Sequence, residues 1–374
     1  MDQHTQIQLL ERAMQHLEAD TTDAAAACTR FDARIYTDEQ RLAEERFALF
    51  SRLPVVVGCS GSLQQPGDYI AHDWSGTPIL VCRQPDGSLK AFLNVCRHRG
   101  TRLVQEKSGH IDKFLVCRYH AWSYDTSGRL RSLPCPSYFN EVKKEDNGLR
   151  ELSVVERAGL VFVVPEPGDL ATPGWEPYAT ELEGFGLADY QIYSSKTVFG
   201  KINWKMMIEA NQESYHINFL HRDTAGPRFS PKVSLFDTLG PNTRTLLLQK
   251  QFSKQSLGRD SAAWRVLDHG DLVYFLFPNT LILLSTLAAH VLTAFPQGVD
   301  RSVVQGVTLV PKGTLERFPR PYYEKYWATI LEDIDVSEPI QQAAASSAMT
   351  ELWLGANECL LAHFHAAISR AIEL

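Results

Sequence analysis

The spacing of hydrophobic and polar residues changes along the chain, and each change predicts a different kind of structure. Residues 1–50 predict helices, because apolar side chains such as Leu42, Phe47 and Leu49 recur at helical spacing. Residues 51–165 instead hold short runs of β-forming residues, separated by turns of Gly, Pro, Asn and Asp. This middle part of the chain predicts a compact all-β domain with antiparallel strands.

The last part of the chain mixes the two patterns. A stretch rich in Pro and Gly at 165–174 predicts a linker, and residues 175–374 predict an antiparallel sheet followed by helices. Helices of this part are predicted at Trp204–His216, Tyr322–Glu332, Ile340–Met349 and Ala356–Ile372. The expected fold class is α+β, with a helical segment at 1–50 that packs on the domain at 175–374, and a separate all-β domain at 51–165.

Charge and hydropathy exclude several classes of protein. The formal net charge is -7 and there is no dense Lys/Arg run, which argues against binding to nucleic acid. The longest apolar run, Leu272–Leu284, is interrupted by Pro278 and Asn279, so it predicts two strands and a turn instead of a membrane span. Met1–Leu17 has neither the basic start nor the apolar centre of a signal peptide. We therefore expect a cytoplasmic protein that contacts no membrane.

The cysteines do not predict a disulfide framework. Their number is odd, 7, and they are spread over a long chain. Five of them stand alone and are expected to be buried structural residues: Cys28, Cys59, Cys82, Cys135 and Cys359.

The remaining two cysteines stand beside histidines. Cys96 and His98 form one pair, and Cys117 and His120 form a second pair after residues 99–116. Two Cys and two His can bind zinc or a Rieske iron–sulfur cluster. Each segment supplies one Cys and one His, so two adjacent loops can each reach both irons, whereas a zinc finger usually groups Cys with Cys and His with His. The pattern favours the cluster and leaves zinc as the alternative.

Two segments resemble the Rieske module of the ring-hydroxylating oxygenases. They are NVCRHRG at 94–100 and CRYHAWSYDTSGRL at 117–130, and the resemblance extends over about 70–165. It implies a [2Fe–2S] cluster on the two Cys–His pairs. It also implies that Trp122 packs beside the cluster; without the resemblance, Trp122 is an ordinary core aromatic.

A second group of candidate ligands lies in WKMMIEANQESYHINFLH at 204–221. Glu213 and His216 are three residues apart and share one face of a helix. His216 and His221 are five apart, so they can bind one metal only if the helix ends or distorts near Ile217–Leu220. Two His and one carboxylate form the facial triad of non-haem Fe(II) oxygenases. By itself this spacing is more typical of surface or core histidines than of metal ligands.

The same family resemblance extends to this segment. Members carry NWK, an acidic residue, YH and a further His, which this chain matches at 203–205, Glu213, 215–216 and His221. The resemblance implies a third iron ligand from an acidic stretch near the C-terminus, and the alignment of that stretch points to Asp333. Asp335 and Glu332 are the competing candidates, and an ordinary solvated helix end is the alternative.

The resemblance implies a fold and a mechanism as well. The catalytic domain is expected to be of the helix-grip kind, and Glu213 is expected to relay electrons between subunits of a homotrimer. Members usually carry Asp at that position, and Glu resembles the branch that acts on carnitine and related quaternary ammonium compounds. The chain departs from the family at Ala210, where an Asn is usual.

The implied protein is the terminal oxygenase component of a multicomponent Rieske system. It uses O2 and electrons from NAD(P)H, delivered by a ferredoxin and/or flavin reductase, at one mononuclear Fe(II). A Rieske electron carrier and a zinc-stabilised binding protein are the competing classes. The expected substrate is aromatic or alicyclic, and the alternative is oxidative demethylation of a methoxy, N-methyl or quaternary ammonium compound. An apolar lining is expected from Phe219, Phe275, Phe277, Leu281 and Leu283.

Overall fold

The structure is a computed structural model that describes residues 1–166 and 174–373. The chain divides into two compact units. The unit that we call the α+β unit consists of Met1–Arg46 and Pro173–Leu374, and the β unit consists of Phe47–Thr172. The linker predicted at 165–174 lies almost entirely outside the described residues. No helix among the described residues is both long and apolar enough to span a bilayer.

The β unit is built from short antiparallel strands, as the alternation of strand and turn residues predicts. One sheet has five strands in the order β10-β5-β4-β3-β6, and two sheets have three strands each, β11-β12-β2 and β7-β8-β9. The strands are β2 Val55–Cys59, β3 Asp68–His72, β4 Ile79–Arg83, β5 Leu89–Leu93, β6 Ser108–His110, β7 Leu115–Val116, β8 Ser123–Tyr124, β9 Leu130–Ser132, β10 Glu151–Leu152, β11 Val154–Arg157 and β12 Leu160–Val163.

The α+β unit is organised around a seven-stranded antiparallel sheet with the order β13-β19-β18-β17-β16-β15-β14. The sheet strands are β13 Gln191–Gly200, β14 Phe229–Leu239, β15 Asn242–Gln249, β16 Gly270–Leu276, β17 Thr280–Leu284, β18 Ala289–Gly298 and β19 Arg301–Val310. The helices are α1 Gln3–Ala19, α2 Glu39–Glu45, α3 Glu176–Glu183, α4 Trp204–Ala210, α5 Ile217–Leu220, α6 Arg320–Ala345 and α7 Cys359–Ile372. The predicted α+β class is confirmed, as is the β16–β17 hairpin predicted for Leu272–Leu284.

The periodicity of residues 1–50 predicted helices only, but this N-terminal segment is not wholly helical. Between α1 and α2 the chain forms a strand, β1 Thr29–Asp32, which pairs with β20 Glu351–Leu354 near the other end of the chain. Thr29 lies opposite Leu354 in this register. A strand whose partner is more than 300 residues away leaves no signal in a local window, because its hydrogen bonds come from tertiary pairing.

The helix predicted at Trp204–His216 is shorter than expected. It ends at Ala210, and a second short helix begins at Ile217. The Glu213 carboxylate accepts hydrogen bonds from the backbone N–H of Tyr215 at 2.5 Å and of His216 at 3.2 Å. A side chain that satisfies backbone donors in this way favours a turn over a continued helix. The break is the distortion that the five-residue spacing of the histidines requires.

Near the C-terminus the structure has a longer helix than the sequence predicted. The helices predicted at Tyr322–Glu332 and Ile340–Met349 are one helix, α6, which runs through Pro339 and ends at Ala345. Gln341 fixes the segment beyond the proline, because its Oε1 accepts from the Asn203 amide at 2.9 Å and its Nε2 donates to the Tyr36 carbonyl at 3.2 Å. These long-range bonds offset the hydrogen bond that proline cannot donate.

Candidate metal centres

The two Cys–His segments of the β unit form loops with the same local geometry. The Gly100 amide donates to the Cys96 carbonyl at 3.0 Å, and the Ala121 amide donates to the Cys117 carbonyl at 2.8 Å. Both donors have positive φ, +76° for Gly100 and +56° for Ala121. That region favours glycine and is costly for a residue with a Cβ, so these positions need the smallest side chains.

The four predicted cluster residues form an inner and an outer pair. Cys96 and Cys117 are each 2% exposed, whereas the rings of His98 and His120 are more exposed and have centroids 4.5 Å apart. The Nδ1 atom of His98 is buried and has no hydrogen-bond partner, so its lone pair is available. Two buried thiols beside two adjacent imidazoles are the donor set of a Rieske centre, where one iron takes Cys and the other takes His.

Two aromatic residues support this arrangement. Trp122 is 3% exposed and its ring stacks on His98, with centroids 5.0 Å apart and planes 8° apart. Trp122 is therefore packed against a predicted ligand, as the resemblance implied. Tyr124, which the sequence did not single out, places its hydroxyl 3.5 Å from the Cys96 sulfur and accepts a hydrogen bond from the Arg97 amide at 3.1 Å.

The α+β unit brings His216, His221 and Asp333 together. The Nε2 atoms of the two histidines are 3.1 Å apart, and Oδ1 of Asp333 lies 2.9 Å from that of His221 and 3.7 Å from that of His216. Three ligands on one face of an octahedron, each about 2 Å from a metal, are about 3 Å apart. The spacing fits one ion. Asp333 Oδ1 is also buried, and its 2.9 Å contact with Nε2 of His221 lacks the angles of a hydrogen bond, as expected when both atoms face a common metal.

Each histidine of this group has a carboxylate at its other ring nitrogen. Glu213 Oε1 contacts Nδ1 of His216, and Glu332 Oε2 lies 2.6 Å from Nδ1 of His221. Glu332 also accepts a hydrogen bond from the Thr224 hydroxyl at 2.7 Å. A carboxylate at Nδ1 fixes the ring and directs the Nε2 lone pair towards a metal.

The electrostatics of the group favour a bound cation. Burial opposes the charged form of both histidines, but Glu213 and Asp333 outweigh it and raise the pKa of His216. Asp333 and Glu332 do the same for His221. Burial raises the pKa of the Asp333 carboxyl. Three carboxylates surround two imidazoles, and a divalent cation neutralises the resulting excess of negative charge.

The three acidic candidates for the third ligand lie in different places. Asp333 faces the two histidines and is 3% exposed, Glu332 contacts the far nitrogen of His221, and Asp335 is exposed. The roles of Glu332 and Thr224 were missed by the sequence. Metal-bound histidines commonly donate their second ring N–H to a carboxylate, but nothing local distinguishes Glu332 from the other acidic residues of the helix.

A cavity of about 360 Å³ lies along α6 close to this group, although His216, His221 and Asp333 are not among its lining residues. Five of its lining residues come from α6 between Tyr322 and Ile330, and Ile330 is one helical turn from Asp333. Others come from the loop at 224–229 and from strands β16 and β17. Several lining residues are polar or charged: Asn211, Thr224, Arg228, Asp271, Lys325 and Thr329.

The lining of this cavity is mainly apolar, as the sequence predicted, but most of the residues named for it lie elsewhere. Leu283 lines the cavity, whereas Phe219 is 61% exposed and Phe275, Phe277 and Leu281 are buried in the core. Phe275 packs edge-to-face on Phe364 of α7, with centroids 5.3 Å apart. The sequence does not indicate which sheet positions a helix covers.

Comparison with known families matches both units. Residues 54–145 match the Rieske [2Fe-2S] domain. Residues 187–374, half of the chain, match the ring hydroxylating alpha subunit catalytic domain.

Individual relatives come from two branches. The glycine betaine monooxygenase oxygenase subunit of Chromohalobacter salexigens is 27% identical over 84% of this chain and 79% of its own length. The biphenyl 2,3-dioxygenase alpha subunit of Rhodococcus jostii is 37% identical, but the match covers only 36% of this chain and 29% of that subunit.

A solved structure of a quaternary ammonium Rieske monooxygenase shares the fold. Its TM-score is 0.82 at 22% identity, and the match covers 93% of this chain and 96% of that one. The matched domains and the donor sets of the two units agree with each other. The chain therefore belongs to the ring-hydroxylating alpha subunit family and is the oxygenase subunit of a Rieske mono- or dioxygenase, whose cofactors are a Rieske [2Fe–2S] cluster and a mononuclear iron.

Proposed function

We propose that this subunit monooxygenates a small, charged quaternary ammonium compound at a carbon bonded to nitrogen. The observation that carries the proposal is the cavity beside His216, His221 and Asp333, whose lining includes Arg228, Asp271 and Lys325. Charged side chains at a ligand site match charged groups of the ligand, and a hydrocarbon has none. The relative that aligns over most of the chain, a glycine betaine monooxygenase oxygenase subunit, supports the same substrate class.

The residues assigned to the cofactors in this proposal are those predicted from the sequence. The cluster ligands are Cys96, His98, Cys117 and His120, and the iron ligands are His216, His221 and Asp333. When bound, the cluster supplies single electrons and the iron supplies the site of O2 reduction. Glu213 positions His216 through Nδ1 and serves as the electron relay to it.

The relay is proposed to receive electrons from another subunit. Tyr215 and Phe219, which flank His216, are 60% and 61% exposed, and two large exposed rings at a metal site indicate a contact surface. His98 and His120 lie at the outer side of the cluster residues in the β unit. Head-to-tail contacts between unlike surfaces form a ring when the rotation between subunits closes. We propose that this ring is a homotrimer. Electrons reach it from NAD(P)H through a ferredoxin and/or flavin reductase, in the cytoplasm.

The test is product analysis by mass spectrometry under 18O2, with the holoenzyme and a ferredoxin–reductase pair. The panel contains glycine betaine, L-carnitine, γ-butyrobetaine, choline, naphthalene and benzoate. We expect an ammonium compound to lose a carbon–nitrogen bond, with one oxygen atom entering the carbonyl product, the other reduced to water and two electrons consumed. A cis-diol carrying two 18O atoms from an aromatic compound, with every ammonium compound unchanged, contradicts the proposal.

Ring hydroxylation of an aromatic substrate is the second candidate. Three aromatic side chains line the same cavity, namely Phe229, Tyr322 and Tyr326. The panel separates the two functions, because an aromatic substrate takes oxygen into the ring and releases no amine.

A further inference from the structure

One end of the cavity presents a guanidinium that a buried carboxylate holds in place. Nη2 of Arg228 lies 2.5 Å from Oδ1 of Asp271. The Asp271 side chain is 2% exposed, whereas that of Arg228 is 30% exposed. Asp271 is thus shielded behind the arginine, and the group that a ligand meets is the cation.

The aromatic residues of the cavity reinforce this orientation. The guanidinium carbon of Arg228 lies 5.5 Å from the ring centroid of Phe229 and 5.9 Å from that of Tyr322. The Tyr322 hydroxyl is fixed in turn, 2.8 Å from Oγ of Ser285. The Arg228 guanidinium is itself the cation that these two rings contact, so they do not offer the same faces to a cationic ligand. The ring of Tyr326 is stacked on His290, with centroids 3.5 Å apart.

The net positive charge at this end of the cavity favours an anionic ligand. Asp271 balances one positive charge, and Lys325 adds a second at the exposed side of the lining. A guanidinium has five N–H donors, and the contact with Asp271 uses one nitrogen. Carboxylates are the partners that match the remaining planar donors.

We propose that Arg228, oriented by Asp271, binds a carboxylate of the substrate. The substrate class is then a carboxylate-bearing compound, such as a betaine, rather than a purely cationic amine such as choline. This inference rests on the proposed function, because that function places the reacting carbon of the substrate at the iron. Tyr322, which contacts Arg228, precedes Asp333 by eleven residues of α6, about 16 Å along the helix axis. The carboxylate therefore sits at the end of the substrate remote from the reaction.

The test is binding of γ-butyrobetaine and of its methyl ester to the holoenzyme without reductant, measured by calorimetry. The ester removes the negative charge and keeps the ammonium group. Loss of a charge-assisted hydrogen bond weakens binding about tenfold or more, so wild type should bind the acid at least about tenfold more tightly than the ester. Arg228→Gln should remove the difference. Arg320→Gln, which replaces an exposed arginine at the start of α6 outside the cavity lining, should keep it.

Arg228→Gln leaves Asp271 buried without its partner and is at risk of misfolding. The double variant Arg228→Gln, Asp271→Asn removes both charges at nearly constant volume, and it decides the matter if the single variant does not fold. Cluster absorbance and circular dichroism identify folded protein. Equal affinity for acid and ester in wild type overturns the inference, and so does an acid preference that persists in the folded variant.

The outcome is separable from that of the proposed function. Turnover of choline as fast as of γ-butyrobetaine, with no acid preference, overturns the carboxylate site and leaves ammonium oxidation standing. If no ammonium compound reacts or binds, the proposed function fails. The pair 4-methoxybenzoate and its methyl ester then takes the place of the betaine pair, and the same comparison of wild type with Arg228→Gln supports or overturns the carboxylate site.

Discussion

A carboxylate lies behind each histidine of the candidate iron site, and a hydroxyl lies beside one cysteine of the candidate cluster. Glu213 and Glu332 fix the imidazoles through Nδ1, and Tyr124 contacts the Cys96 sulfur. Such partners control ring orientation and the electron density of a ligand atom. At the scale of single residues, the centres are therefore tuned by neighbours that carry no motif of their own.

The Tyr124 hydroxyl gives a prediction about the cluster. A hydrogen bond to a ligand sulfur stabilises the more negative, reduced cluster and raises its potential. Tyr124→Phe should lower the midpoint potential by about 40 mV, the equivalent of about 1 kcal/mol for a one-electron couple. A redox titration followed by electron paramagnetic resonance measures it. Tyr138→Phe is the control, since Tyr138 is 83% exposed; equal potentials in wild type and Tyr124→Phe refute the role.

Among the secondary-structure elements, α4 leads into the turn that carries Glu213 and His216, and a buried ion pair ties it to α2. Nζ of Lys205 on α4 lies 2.8 Å from Oε1 of Glu45, and Trp204 donates to Oε2 of Glu45 at 2.9 Å. Lys205 is 1% exposed and Glu45 0%. The pair fixes the start of α4 against α2, a helix about 160 residues earlier in the chain.

Breaking this pair should be costly. Lys205→Met leaves the buried Glu45 carboxylate with Arg41 alone, whose Nε lies 3.2 Å from Oε1. The free energy of unfolding should therefore fall by about 3 kcal/mol, the lower end of the range for breaking a buried ion pair. Chemical denaturation followed by far-ultraviolet circular dichroism measures the change. Lys254→Met is the matched control, because Lys254 pairs with Glu18 at the surface and should have little effect. If both variants unfold like wild type, the pair does not stabilise α4.

For the whole molecule, the prediction concerns assembly. Cys96→Ser removes the cluster and His221→Ala removes the mononuclear iron, so each variant alone should be inactive. Mixed oligomers should regain turnover, because a cluster in one subunit can serve the iron of the next. Refolded or co-expressed mixtures with separate affinity tags allow the activity of purified mixed oligomers to be measured.

The same mixture tests the relay. Glu213→Gln in the chain that keeps the iron should abolish the regained turnover while iron and cluster contents stay constant. Glu213→Gln in the chain that lacks the iron should have no effect, which makes it the matched control. If mixed oligomers stay inactive, or if the two placements of Glu213→Gln behave alike, the intersubunit path is wrong.

The sequence by itself determined the family, the α+β class and the candidate ligands of both centres. Those features depend on local spacing: one Cys and one His in each short loop, and two histidines after an acidic residue. Strand alternation and turn residues likewise predicted the short antiparallel strands that the structure has between Val55 and Val163, because these signals act within a few residues of one another.

Only the tertiary structure decided the features that depend on distant partners. The pairing of β1 with β20, the continuity of α6 past Pro339, and the carboxylate of Glu332 behind His221 all join residues far apart in the sequence. The cavity is a further such feature, since Arg228, in the loop before β14, contacts Asp271 on β16. A local pattern shows which side chains a segment carries. The partner of each side chain, its burial and the charge around it depend on how distant segments pack against one another.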